Sequence, residues 1–326
     1  LTDKIPFYPD SVLARRLDTR MRERLAGSLS YITSQMADSL PVSPEKLGGF
    51  LQRLTRAPVS SQLFGAYFDL VIAIETGEPE AAAILEEILA TQAAPEKLQI
   101  LNLGDPSSQA MAARYLRLIN TDPSMQLALR SPPPELEAAA RARLQAAFLL
   151  LEQGFPVLAE ELSALIREIV LAVNTESTGP QFDGASSFML WGAIILNAEK
   201  GDLPIALVEA LAHESGHNLL FGLCADGPLV ENDDLGLFPS PLRADLRPMD
   251  GIVHAAYVVA RMHQAVQTVL NAGILDQAQA QFARASLLAN AEAFRRGMET
   301  IDAHGNLTPL GHSLMQGARA YMSTAG

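Results

Sequence analysis

Apolar residues recur at three- and four-residue intervals along most of the chain, which is the helical period. Ala and Leu, both strong helix formers, fill many of these positions. The pattern predicts helices near 10–36, 44–55, 60–75, 79–92, 107–119, 135–153 and 157–168. Pro41, Pro44, Gly77, Pro79 and the run Ser131-Pro132-Pro133-Pro134 punctuate them, the last being the strongest internal boundary signal.

The period then changes. IREIVLAVN (166–174) is β-branched toward its end, 174–187 is loop-like, and SFMLWGAIILNA (187–198) is a continuous apolar run of strand length. Asp202 and Pro204 mark a helix start, and the helical pattern continues to Leu223. A long loop follows (227–248). Asp250 is expected to cap a helix over 251–271, and helices near 274–299 and 308–322 close the chain. The expected fold class is mainly α (α+β). A helical N-terminal region covers 1–150, and a metal-binding catalytic region with a small sheet covers 151–326.

Composition narrows the function classes. With 326 residues and 48% hydrophobic content, there is material for one large core or two smaller ones. The net charge of -13, without any Lys/Arg cluster, argues against nucleic-acid binding. No apolar run reaches the length of a membrane span, and no signal peptide is visible. Cys224 is the only cysteine, which fits a reducing cytoplasm.

Within the predicted helix 206–223 the sequence reads His213-Glu214-Ser215-Gly216-His217. Residues four apart share a helical face, so both imidazoles can meet one ion with Glu214 beside them. Ile205, Leu207, Val208, Leu211, Leu219 and Leu220 surround the motif, and polar groups in such a setting need partners. A third ligand is required. Positions 220 and 223 are both leucine, which rejects the metzincin pattern. The span 251–271 has no acidic residue but offers His254 and His263, which face opposite sides of a helix. His254, in the apolar DGIVHAAYVV, is the expected ligand; Glu231, Asp233 and Asp234 are weaker loop alternatives. His304 and His312 suit surface or capping roles. Cys224 suits a small buried hydrophobe, and Trp191 suits the core or the wall of the site.

The segments LAHESGHNLL and SPLRADLRPMDGIVHAAYVVARM together resemble the HExxH-motif proteins associated with ribosomally synthesised, modified peptides. The resemblance covers about residues 187–271. It rests on His213–His217, on Ser240-Pro241-Leu242-Arg243, on Arg247-Pro248 and on Gly251-Ile252-Val253-His254. It implies a zincin-like scaffold and an iron(II)/2-oxoglutarate-dependent hydroxylase, acting on a carbon (β in that family) of a peptide residue or an amino acid. On that footing His213, His217 and His254 hold iron. Arg247 or Arg243, with Arg261 as a third candidate, pairs with the oxoacid carboxylate, for which a planar guanidinium is suited. Glu214 then either supports the ligands from behind or orients substrate. In the zincin-like picture the 187–198 strand lies at a sheet edge and pairs with extended substrate. The alternative chemistry is a zinc metallopeptidase with Glu214 as general base.

Overall fold

Ser43 is followed by Pro44, a hydroxyl cap ahead of a residue whose φ is already helical, and the chain turns helical there with the Ser43 side chain accepting from Lys46 N at 3.1 Å. The helices of the N-terminal half begin in different ways, some on such a cap or on proline and others without a side-chain cap. In the computed structural model, which describes residues 7–95, 97–104, 109–121, 126–175, 182–243 and 245–325, these are α1 (Ser11–Gln35), α2 (Pro44–Arg56), α3 (Ser61–Thr76), α4 (Ala81–Ala90), α5 (Gln109–Ile119), α6 (Pro134–Gly154) and α7 (Pro156–Leu165). Gly77 ends α3 at φ 73°, a left-handed position that favours glycine. The expected helix start at 107–108 and residues 176–181 of the expected loop 174–187 lie outside the described residues.

The chain divides into two compact units that interleave along the sequence. One comprises Leu13–Ala138 and Ser163–Glu199; the other comprises Leu1–Val12, Ala139–Leu162 and Lys200–Gly326. The division expected at 150/151 falls inside α6.

The first unit carries a mixed sheet. β1 (Gln99–Asn102), β3 (Glu168–Asn174) and β5 (Ala193–Asn197) run parallel, β4 (Gly184–Ala185) pairs antiparallel with β5, and β2 (Leu129–Arg130) pairs antiparallel with the end of β3. β3 and β5 are buried at almost every position, which explains why they read as unbroken apolar runs rather than alternating ones. The 187–198 run is a 3-10 turn (Phe188–Leu190) followed by β5, not one strand. β5 is also not an edge: it is hydrogen-bonded to β3 on one side and to β4 on the other. Its backbone is already paired, so the expected strand-addition role for substrate is withdrawn. Trp191 is fully buried here, with Nε1 donating to Asp18 at 3.3 Å, so it is a core residue.

The second unit is a helical assembly around α9 (Met249–Asn271). α8 (Pro204–Cys224), α10 (Gln277–His304) and α11 (Pro309–Thr324) all pack on it, and a hairpin of β6 (Leu237–Pro239) and β7 (Leu246–Pro248) leads directly into it. α9 is buried almost all round, as a central helix must be. Two glycines permit close approach. A Cβ on Gly216 of α8 would stand 3.1 Å from Val258 Cγ1, and one on Gly297 of α10 would stand 3.1 Å from Ala256 Cβ. Both contacts are tighter than ordinary packing allows. Asp250 is not the cap of α9: Pro248 is, and Asp250 sits in the first turn.

Candidate metal centre

His213 and His217 project from one face of α8, and their Nε2 atoms lie 3.2 Å apart. Two imidazole nitrogens each bound at about 2.0–2.1 Å to one ion stand roughly 3 to 3.4 Å apart, so the pair has the spacing of two ligands. His254 enters from α9. Its ring stacks against His217 with centroids 5.7 Å apart and planes 25° apart. The close α8–α9 approach at Gly216 and Val258 brings these rings together, because Val258 is one helical turn beyond His254.

The third ring is beside the pair rather than aimed with it. His254 Nε2 faces Asp250 Oδ2 at 3.7 Å, and among the described residues no three His, Cys, Asp or Glu side chains converge on one point. The electrostatics are those of neutral ligands. Burial, then the neighbouring His213 and His254, hold His217 well below the ordinary histidine range, and burial also lowers His254, against the opposing pull of Asp250. Uncharged imidazoles keep a lone pair free for a cation.

Sequence reasoning missed four further contributors. Phe221 caps the rings, its centroid 6.2 Å from His217 and 6.0 Å from His254. The signal was available, since Phe221 is four residues past His217 on the same stripe. Met262 Sδ lies 3.2 Å from His213 Nδ1. Asp250, outside the helix as predicted, lies inside it and next to His254. Gly216 lets the helices meet. Glu214 is buried, with Oε1 3.9 Å from His213 Nε2.

The three arginines have different fates. Arg247 leans over Gly251, where a Cβ would stand 3.5 Å from Arg247 Cβ and 3.8 Å from its Nε; this places it along the first turn of α9, one turn before His254. It also lies 3.6 Å from Asp245. Arg243 Nε donates to Asp245 Oδ1 at 2.8 Å within the hairpin turn, and holds that carboxyl below the usual range. Arg261 is 1% exposed, paired with Glu161 and donating to the Phe7 carbonyl at 3.0 Å. A guanidinium so enclosed needs its carboxylate, and the structure does not bring it to the histidines.

The remaining residues lie elsewhere. His263 is buried on α9 with Nδ1 2.9 Å from the Tyr321 hydroxyl. Glu231 accepts from Asn306, Asp233 accepts from Leu235 N, and both are exposed with Asp234. His304 is exposed and stacks on Phe238 at 5.1 Å, and His312 is exposed. Cys224 is half-buried at the end of α8, its thiol raised to about 12 by burial and by the charge of Asp250. Among the described residues no helix is long and apolar enough to cross a membrane. Comparison with protein-family models and with curated proteins finds no match for this chain.

Proposed function

We propose that the chain is an iron(II)/2-oxoglutarate-dependent oxygenase that hydroxylates a side-chain carbon, β in the simplest case, of a peptide residue or an amino acid, on a zincin-like motif helix. The observation that carries this reading is the imidazole pair at ligand spacing with a third neutral imidazole stacked beside it. The resemblance of residues 187–271 to peptide-modifying HExxH proteins supports the choice of chemistry. The donor set fits the metal: imidazole suits iron and zinc alike, and three protein ligands leave open positions on an octahedral ion. Completing the set requires the His254 ring to turn from Asp250 toward the pair.

When bound, iron and the oxoacid would supply a reduction of dioxygen in which one oxygen atom enters the C–H bond and the other enters the succinate left as the oxoacid loses carbon dioxide. The protein's part is placement. His213, His217 and His254 hold the ion, and Arg247 is best placed to pair with the oxoacid carboxylate. Phe221 shields the ring faces from water, and the Glu214 carboxylate orients substrate next to His213.

Glu214 also favours a second reading, zinc-dependent peptide hydrolysis with Glu214 as general base, because its carboxyl lies beside a ligand histidine. Anaerobic reconstitution with iron(II), 2-oxoglutarate and a peptide mixture separates the two. Succinate release and a gain of one oxygen atom on admitting oxygen, both lost in His254→Ala, support the oxygenase. Peptide cleavage with zinc alone, needing no oxoacid, replaces it with the peptidase.

A further inference from the structure

The register of the β6–β7 hairpin pairs Leu237 with Pro248, Phe238 with Arg247, and Pro239 with Leu246. Paired residues share a face and successive residues alternate, so Phe238 and Arg247 occupy one face and Leu237, Pro239, Leu246 and Pro248 the other. The first face is anchored: Phe238 stacks on His304 and Arg247 lies over Gly251. The second is apolar and open. Leu237 and Leu246 are each 53% exposed, Pro239 is exposed, and Leu235 just before the hairpin is 87% exposed.

We infer that this apolar hairpin face is the docking surface for the substrate, an extended peptide segment carrying apolar side chains next to basic ones. Three observations favour that occupant. The hairpin runs without a break into α9, so the face is covalently continuous with the helix that carries His254. The surrounding stretch 226–250 holds six acidic residues (Asp226, Glu231, Asp233, Asp234, Asp245, Asp250) against two arginines. Both arginines already lie against Asp245, so the field there attracts cations. Pro239 and Pro248 lack N–H donors, so side-chain contact with the face, rather than pairing at the hairpin edge, is what the surface offers. The inference rests on the proposed function for the peptide nature of the substrate.

The test uses the full chain and three fluorescein-labelled octapeptides: one alternating leucine and lysine, one with serine for leucine, and one with glutamate for lysine. Binding is read by fluorescence anisotropy, and oxoacid decarboxylation is followed in the same samples. The leucine–lysine probe should bind, the other two at least tenfold more weakly. Leu237→Ser/Leu246→Ser should lose about tenfold in affinity for it, since removing two exposed apolar contacts has roughly that effect. That variant keeps both its fold by circular dichroism and its peptide-independent oxoacid turnover. Absence of probe binding, equal binding by the variant, or equal binding of the glutamate probe overturns the inference. So does a wild-type dimer that becomes monomeric in the variant, which would make the face a contact between copies. The paired readout in the wild type keeps the two proposals apart: probe binding without turnover removes only the oxygenase, and turnover without probe binding removes only the docking surface.

Discussion

The Nε2 atoms of His213 and His217 face each other across 3.2 Å, one helical turn apart on α8. Two like imidazoles this close are stable when both are neutral and either share a proton or share a cation. Single substitution of either by Ala should reduce bound iron(II) or cobalt(II) from about one ion per chain to near zero, since what remains is one imidazole of the pair and a His254 ring that is not aimed with it. His254→Ala should leave weak residual binding. Metal analysis after dialysis reads the result, and equal metal retention by all three variants would remove the pair as a centre.

Gly216 sets how closely α9 approaches. Gly216→Val should cost about 1–3 kcal/mol by overpacking against Val258. It should also weaken metal binding, because it moves His254 away from His217. Gly216→Ala should cost less, since one methyl is partly offset by about 0.8–1 kcal/mol of helix propensity. Urea denaturation and metal titration check both. Loss of stability without loss of metal affinity would mean that the helix spacing does not position His254.

Arg247 and Arg261 should separate by phenotype. Arg247→Lys should raise the KM for 2-oxoglutarate by about ten- to a hundredfold with stability unchanged, as a planar two-point contact becomes a point charge. Arg261→Met should instead cost about 3–5 kcal/mol, because Glu161 is left buried without its counter-charge, and Arg261→Met/Glu161→Leu should recover part of it, short of the Asp10 N–H bond to Glu161 that the leucine also removes. Steady-state kinetics and denaturation midpoints discriminate; a KM effect at Arg261 with intact stability would reverse the assignment.

Acid should destabilise the metal-free protein. His217, His254 and His263 are all held below the ordinary value of 6.5 in the fold, in each case chiefly by burial. Below about pH 6.5 the unfolded chain takes up protons that the folded chain resists. Stability is therefore full at pH 8 and declines as pH falls from about 6.5 toward the lowered folded values. Urea melts between pH 8 and 5.5 should show this, and His217→Gln should flatten part of the slope. A stability that is constant over that range would mean these rings are not desolvated.

The sequence by itself determined the helices, the strand texture of the 166–174 run that becomes β3, and the two-histidine face of α8. These depend on local spacing, on caps such as Ser43 and on glycine stops such as Gly77, all written within one or two turns of chain. It also placed His254 and His263 on opposite helical phases, and the apolar setting of His254 made that one the expected ligand. Tertiary structure decided the rest. That β5 is interior, that Arg261 is consumed by Glu161 a hundred residues away, and that the chain folds as interleaved units all depend on contacts distant in sequence, which no local period encodes. The same holds for the meeting of His217 and His254. Helical phase says which way each imidazole points from its own axis, but the distance between the axes is set by Gly216 against Val258, a steric fact that exists only once both helices are packed.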